Sequence, residues 1–184
     1  MPCGIFQART LKVVKEADLA LLHAQDLRVK PASLADESSF SFELMGVPLG
    51  YFGFFGAFLN VGEAPVDKPG TQPDELSLIY RTGVFAGGRP VEIEQGVVKD
   101  TIWFQGISTP GTSGGPLFLP ETGAVIGVVI SQLRHLVPER GQDEAAGLSV
   151  AVPVGELRQM LEEAAKEDKF PRKEIPTSPA IRTR

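Results

Sequence analysis

Glycine and proline interrupt the first 153 residues at short intervals, and this feature constrains the fold more than any other. The chain has 20 glycines and 15 prolines among 184 residues. The segments between them are short and rich in Val, Ile, Phe and Leu, which is typical of strands joined by turns. The pattern therefore predicts an all-β body, either a sandwich or a barrel. The predicted strands are 5–14, 19–24, 39–45, 76–84, 91–98, 101–105, 116–119, 124–130 and 147–152.

The sequence pattern changes after Pro153. Apolar residues then recur at helical spacing, at Leu157, Met160, Leu161 and Ala164. This spacing predicts one amphipathic helix over 154–170. The residues that follow, 171–184, are polar, contain three prolines and have no periodicity. They predict a disordered tail.

Charge and cysteine content exclude several classes of protein. The net charge is −5, which argues against binding to nucleic acid through phosphate neutralisation. No apolar run reaches the length of about 18 residues that a membrane span needs, so we expect no membrane partner. The single cysteine, Cys3, cannot form an internal disulfide, and the sequence contains no signal peptide, so localisation stays open. No Cys/His cluster has metal-ligand spacing and no Gly-rich loop leads into a helix, so we expect neither a metal nor a cofactor.

The segment that carries chemistry is Pro110–Phe118, with the sequence PGTSGGPLF. A serine between glycines, on a turn that leads into a buried strand, suits an acyl-transfer nucleophile, because small neighbours let a substrate carbonyl approach. Ser113 is then the nucleophile, and the amides of Gly111 and Ser113 form an oxyanion hole. The other interpretation of this segment is a tight hairpin turn. Asp18, at the mouth of the apolar strand ADLALL, favours catalysis, because Asp before Ser is a known order for a Ser-His-Asp triad.

Together, GTSGGPLF, GAVIGVVIS, ADLALL, FELMGVPLG and AGLSVAVPVGELRQML resemble, in the same order, the trypsin-like serine proteases of the HtrA (Deg) type. The resemblance covers roughly residues 5 to 165. It implies a chymotrypsin-like double β-barrel followed by a C-terminal helix. By motif match, Ser113 is the nucleophile, Asp18 orients the base, and Ile107 lies near the floor of a specificity pocket for small or apolar side chains. The strand that lines the substrate main chain would contain Val128, Val129, Ile130, Ser131 and Gln132.

The sequence departs from this family at the general base, which the family places several strands before the Asp. None of the 17 residues before Asp18 is His. We therefore expect the chain to begin inside the first barrel. The domains predicted on this basis are a remnant of the first barrel at 1–36, the second barrel at 37–153, the helix at 154–170 and the tail at 171–184.

The sequence contains two histidines that are candidates for a replacement base. His23 lies five residues after Asp18 on a strand, about 16 Å away at about 3.3 Å per residue, and so is interpreted as a surface strand residue. His135 lies in the second barrel and would approach Ser113 from the wrong side, so we interpret it as a loop residue.

Without a base, the chain by itself is expected to be inactive or nearly so. The first functional hypothesis is a serine endopeptidase whose base comes from a segment outside this sequence. The alternative is a pseudoprotease that binds peptides or proteins in extended form. The expected partner is a polypeptide substrate or ligand, with a homo-oligomer or a complementing N-terminal segment left open.

Three other features of the sequence are candidates for a functional role. Cys3 is interpreted as a free thiol. The aromatic group Phe52, Phe54, Phe55 and Phe58 is either an exposed binding loop or part of the core. The long predicted loop at 62–75 exceeds the usual connection length of about 4 to 6 residues, which indicates a functional or mobile segment.

Overall fold

The computed structural model describes residues 7–24, 29–36, 45–55, 77–93, 97–109, 111–137 and 142–166. These residues form eight strands and one α-helix, with a short 3-10 turn at Lys15–Ala17. The strands are β1 (Ala8–Val14), β2 (Leu19–Ala24), β3 (Pro48–Phe55), β4 (Ser77–Ile93), β5 (Val97–Gln105), β6 (Pro116–Phe118), β7 (Val125–Val137) and β8 (Gln142–Pro153). The helix α1 spans Val154–Lys166.

Six of the strands close into a barrel in the order β3-β4-β5-β8-β7-β6, in which every pairing is antiparallel. Closure removes the unpaired strand edges that an open sheet would present. Inward-facing side chains from all of these strands fill the barrel, because alternate residues of a strand point to opposite faces. The fully buried side chains of this barrel core include Leu49, Tyr51, Phe104, Leu117 and Ile126.

The other two strands form a separate two-stranded sheet, β1-β2, which packs against α1 and the barrel. Ala17, at the end of the 3-10 turn, and Leu19, the first residue of β2, are buried against Val152 of β8 and Met160 of α1. An isolated hairpin is marginally stable in water, so this packing is what holds β1 and β2 in place. Lys12 of β1 and Glu163 of α1 form an ion pair beside the same cluster.

The segment at 29–36 connects the hairpin side of the chain to the barrel. Leu34 makes a parallel bridge with Val125 at the start of β7, and the Ala35 amide donates to the Val125 carbonyl over 2.8 Å. Arg158 of α1 donates from Nη2 to the carbonyls of Leu34, over 3.1 Å, and Ala35, over 2.9 Å. A charged donor thus satisfies two otherwise orphaned carbonyls.

Strand β3 was not predicted from the sequence. In this part of the chain the sequence favoured a strand at 39–45. Residues 39–44 lie outside the described residues, Met45 lies in a turn, and the strand is Pro48–Phe55. Gly50 and Gly53 obscured its alternation. Both are packing requirements: a Cβ on Gly50 would lie 2.7 Å from the ring of Phe118, and one on Gly53 would lie 2.5 Å from Cγ2 of Thr112.

Other predicted element boundaries also differ from those in the structure. The predicted strand 91–98 is wrong, since 91–93 end β4 and 97–98 begin β5. Helix α1 ends at Lys166 within the described residues, and the predicted tail at 171–184 lies outside them. The prediction of an all-β body followed by a C-terminal helix is confirmed, since the described residues form one closed barrel, one two-stranded sheet and α1. The division into domains stays a prediction.

Within the described ranges, no helix has the length and apolarity that a membrane span requires.

Candidate active site

The turn that carries Ser113 joins β5 to β6 and is shaped by two glycines in left-handed conformations. Gly111 has φ 95° and Gly114 has φ 84°. Side chains rarely adopt these angles, so the glycines let the backbone reverse on both sides of the serine. Thr112 is buried, its hydroxyl donates to the Thr109 carbonyl over 2.7 Å, and its amide donates to the same oxygen over 3.0 Å. The hydroxyl thus closes the turn locally.

Main-chain hydrogen bonds attach this turn to β7. The Gly114 amide donates to the Val129 carbonyl over 2.7 Å, and the Val129 amide donates to the Gly115 carbonyl over 2.9 Å. Val129 is fully buried, so the turn is bonded to the core of the barrel. On its other side, a Cβ on Gly115 would lie 2.0 Å from the Phe52 carbonyl oxygen, so only glycine allows β3 to approach this closely.

Ser113 is exposed at the tip of the turn. Its Oγ donates to the carbonyl of Ile130 over 2.8 Å. A hydroxyl has a single proton with which to donate a hydrogen bond, and here a main-chain carbonyl accepts that hydrogen bond. The role of Ser113 as a nucleophile stays a prediction.

The predicted oxyanion hole consists of the Gly111 and Ser113 amides. Among the described residues, no backbone acceptor is bonded to either amide, whereas those of Thr112, Gly114 and Gly115 are bonded within the protein. The positive φ of Gly111 turns its peptide relative to its neighbours. The oxyanion role stays a prediction that this geometry permits.

Asp18 lies between two buried anchors, Ala17 and Leu19. Its backbone is left-handed, with φ 52° and ψ 42°, and its amide donates to the Lys15 carbonyl over 3.1 Å. Aspartate tolerates this conformation better than most residues. Its side chain is exposed at the edge of the cluster that also receives Ile130, whose carbonyl binds Ser113. The structure thus brings the β2 side of the chain against the strand beside Ser113, while the catalytic role of Asp18 stays a prediction.

The two histidines lie on different strands, and the interpretation of His135 as a loop residue is wrong, because it lies in β7. His23 lies near the end of β2, opposite Arg9, and the backbone of His135 pairs with Glu144 far along β7. Cys3 lies outside the described residues, as do Phe58 and the predicted loop at 62–75.

The predicted substrate strand is the first half of β7. Val129 is buried in the barrel, whereas Val128 and Ile130 are half-buried and pack toward the hairpin cluster. The pairing with β8 shifts between Val129 and Ser131, so the strand has an irregularity beside Ser113. Gln132 pairs with Ser149. The substrate-lining role of these residues stays a prediction.

Ile107, predicted near the floor of a specificity pocket, has a side chain that is 62% exposed. Its carbonyl accepts two hydrogen bonds, from the Tyr51 hydroxyl over 2.9 Å and from Nη1 of Arg81 over 3.2 Å. Burial raises the pKa of Tyr51, and the nearby Arg81 guanidinium opposes that rise. The neutral phenol is therefore favoured as the donor that holds this loop.

A buried pair of serines supports the same loop from the barrel side. Ser149 is fully buried, and its hydroxyl donates to the Gly106 carbonyl over 2.8 Å. The oxygen of the same hydroxyl accepts a hydrogen bond from the Ser108 amide over 3.1 Å. The loop that leads into the Ser113 turn is thus bonded on both sides by partners that sequence reasoning did not identify.

An apolar cleft of about 380 Å³ opens beside Ser113. Its walls come from the turn at 111–115 and from Phe52, Gly53, Leu78 and Pro116. The sequence analysis singled out Phe52 but placed neither the cleft nor Leu78. Nothing local to β3 or β4 signals that the two strands meet the serine turn, because barrel closure creates that contact.

The chain is similar in fold to solved structures of proteases. The chain matches the Rv3671c protease from M. tuberculosis in its active form, with a TM-score of 0.62 and 16% identity over 96% of this chain and 61% of that one. The inactive form of that protease gives a TM-score of 0.59 and 18% identity over 86% of this chain and 66% of the other. The HtrA-type protease AlgW with a decapeptide gives a TM-score of 0.55 and 18% identity, over 88% of this chain and 41% of the other.

The chain has the chymotrypsin-like fold of these proteases. It spans 41–66% of the length of the three structures. No protein-family model matches the sequence, and no curated protein matches it. In this chymotrypsin-like chain, no group of three or more His, Cys, Asp or Glu side chains within the described ranges could hold a metal ion.

Proposed function

We propose that this chain is the Ser113-bearing part of a trypsin-like serine endopeptidase. The observation that carries the proposal is the exposed Ser113 on a turn shaped by Gly111 and Gly114, hydrogen-bonded through its neighbours to the buried strand β7. A rigidly supported serine beside available main-chain amides suits attack on a carbonyl carbon and stabilisation of the oxyanion that forms.

The proposed reaction is acyl transfer. Oγ of Ser113 attacks the carbonyl carbon of the scissile peptide bond, and the carbonyl oxygen becomes an oxyanion held by the Gly111 and Ser113 amides. The bond to the leaving nitrogen then breaks, and the base passes the serine proton to that nitrogen, so an acyl-enzyme remains for water to hydrolyse. Asp18 would orient the base. No metal or cofactor takes part in this scheme.

In this proposal the general base comes from outside the given sequence. The Ser113 hydroxyl donates to the Ile130 carbonyl, and a carbonyl oxygen cannot serve as a general base at neutral pH. We therefore propose that a histidine from outside this sequence completes the site, and that the chain by itself is inactive or nearly so. A homo-oligomer or a complementing N-terminal segment could bring such a residue.

The proposed substrate is an extended polypeptide that lies along 128–132 of β7. AlgW, which shares the fold, has a structure with a decapeptide, and this supports a peptide ligand here. Ile107 would favour a small or apolar side chain in the specificity pocket.

The alternative function is a pseudoprotease that binds peptides without cleaving them. The hydrogen bond from Ser113 to Ile130 favours it, because the serine is at rest in a stable conformation that needs no base. Peptide binding would then use the β7 edge as an added-strand site.

Fluorophosphonate labelling separates the two functions. The purified chain is treated with the probe with and without added imidazole, and the site is identified by mass spectrometry, with Ser113→Ala as the control. We expect no labelling of the folded chain alone, and Ser113-dependent labelling once imidazole supplies a base. Peptide binding without labelling at any imidazole concentration would favour the pseudoprotease. Rapid labelling without imidazole would show that our claim of inactivity is wrong.

A further inference from the structure

The Ser113 turn is attached at both of its ends to one pair of strands, β7 and β8. Downstream of the serine, the Gly114 amide donates to the Val129 carbonyl of β7. Upstream, the loop at 106–109 is hydrogen-bonded to the hydroxyl of Ser149 in β8. The two strands are paired with each other beside both attachments. The path of the turn between its two ends therefore depends on this pair of strands.

The Ser149 hydroxyl takes part in three hydrogen bonds with this loop. It donates to the Gly106 carbonyl and accepts the Ser108 amide, so it bonds the main chain on both sides of Ile107. Its oxygen also lies 2.9 Å from Oγ of Ser108. Because the single proton of Ser149 is directed at a carbonyl, the Ser108 hydroxyl is the donor in that pair. Ser149 is fully buried, so loss of its hydroxyl would leave these groups without a partner where water does not reach.

The position of this loop decides where the serine turn begins. Both the amide and the hydroxyl of Thr112 donate to the Thr109 carbonyl. Thr109 directly follows Ser108 in the chain. A displacement of Ser108 is therefore passed to the Thr109 carbonyl and from there to the first residues of the turn.

We propose that Ser149 is a positioning residue that fixes the upstream end of the Ser113 turn and so directs the Gly111 amide toward the proposed oxyanion hole. The inference rests on the proposed function, because the direction of that amide matters for stabilising an oxyanion. Ser149 acts through the loop at 106–109 and does not touch the substrate. The downstream end of the turn is fixed separately, through Val129.

The test measures amide hydrogen exchange residue by residue with NMR, in the wild type, Ser149→Ala and Thr101→Val. The Thr112 amide reports on the upstream end of the turn and the Gly114 amide on the downstream end. Thr101 is the matched control, because it is also a buried hydroxyl of the barrel. Its Oγ1 accepts a hydrogen bond over 2.9 Å from Nε1 of Trp103 in the same strand.

In Ser149→Ala we expect exchange at Thr112 to become about tenfold faster, while exchange at Gly114 stays within about threefold of the wild type. A loss of general stability changes both amides by the same factor, and this is the result expected for Thr101→Val. Ser108→Ala is a milder variant that keeps both main-chain bonds of Ser149. It should accelerate exchange at Thr112 by about threefold and leave Gly114 unchanged.

Equal acceleration of the two amides in Ser149→Ala, or no acceleration at Thr112, would overturn the inference. Ser108→Ala decides in the same way if Ser149→Ala does not fold, which circular dichroism checks. Neither measurement needs a reaction at Ser113.

A second readout is the rate of fluorophosphonate labelling at a fixed imidazole concentration. We expect Ser149→Ala to be labelled at least about tenfold more slowly than the wild type, and Thr101→Val at a rate within about threefold. Labelling of Ser149→Ala at the wild-type rate would show that Ser149 does not position the reacting groups. If the folded wild type is not labelled at any imidazole concentration, the proposed function is wrong, and the exchange rates still decide whether Ser149 fixes the turn.

Discussion

Replacing Gly53 with alanine should disturb the serine turn from a position on a different strand. The added Cβ would lie 2.5 Å from Cγ2 and 2.8 Å from Cα of Thr112, and 3.1 Å from the Gly111 carbonyl oxygen. Carbon atoms pack best at about 3.5–4.0 Å, so the turn must move by about 1 Å. Two of these three contacts are with backbone atoms, and Thr112 is buried, so rotation of a side chain cannot relieve the overlap.

Two quantities should change in the Gly53→Ala variant. A displacement of about 1 Å in a reacting group can reduce its effectiveness by about 100-fold, so the rate of fluorophosphonate labelling of Ser113 in the presence of imidazole should fall by up to about that factor. A 100-fold lower rate corresponds to an activation free energy that is higher by about 2.8 kcal/mol, at about 1.4 kcal/mol for each tenfold change. Overpacking should also lower the free energy of unfolding by about 1–3 kcal/mol. Labelling kinetics at a fixed imidazole concentration measure the first quantity and urea denaturation measures the second.

Gly50→Ala is the matched control on the same strand. Its added Cβ would lie 2.7 Å and 2.8 Å from the Cζ and Cε2 atoms of the Phe118 ring and 3.0 Å from Tyr80. These contacts are with the ends of side chains and not with the backbone of the turn, so we expect a loss of stability with a labelling rate within about threefold of wild type. The reasoning is refuted if Gly53→Ala keeps the wild-type labelling rate, or if the two variants lose labelling rate equally.

Three further predictions concern the support of the site. Met160→Ala should lower the free energy of unfolding by about 2–5 kcal/mol and increase hydrogen exchange in β1 and β2, because buried Met160 holds the hairpin on α1. Tyr51→Phe should cost about 1 kcal/mol in urea denaturation through loss of the hydrogen bond to Ile107. Because burial raises the pKa of Tyr51 above 10.0, the wild type should lose stability as the pH rises above that value, and the phenylalanine variant should lack this component. The hydrogen bond from Lys12 lowers the pKa of Glu163 below 4.5, so the stability it contributes is present above pH 4.5 and is lost as the pH falls through the lowered pKa. Glu163→Gln should flatten the acid limb of the stability profile, and an unchanged limb would contradict this assignment.

Much of the architecture could be predicted because its signals are local. Turn residues and short β-branched segments marked the strands β1, β2 and β6 closely, and the apolar spacing of Leu157, Met160 and Ala164 marked α1. Strand β3 could not be found in this way. Its glycines weaken the alternation, and the reason for them lies in Phe118 and Thr112, which are more than 50 residues away in sequence.

Within the candidate site, the amino-acid sequence by itself determined the turn that carries Ser113. The order Gly-Thr-Ser-Gly-Gly-Pro allows only a tight reversal with the Ser113 hydroxyl at its tip, because Gly111 and Gly114 take backbone angles that other residues avoid. Asp18 likewise stands out as a carboxylate at the mouth of an apolar strand. These are properties of a few adjacent residues, so no knowledge of distant contacts is needed to find them.

The tertiary structure alone decided what surrounds that turn. Barrel closure brings β3 and β4 against the serine turn and so creates the cleft between Phe52 and Leu78. Barrel closure also places the Ile130 carbonyl where it accepts a hydrogen bond from the Ser113 hydroxyl. Such contacts join residues that are 17 or more positions apart, and their geometry depends on how all six strands close together. Local propensity carries no information about that closure, which is why the chemistry of the turn was evident from the sequence and its environment was not.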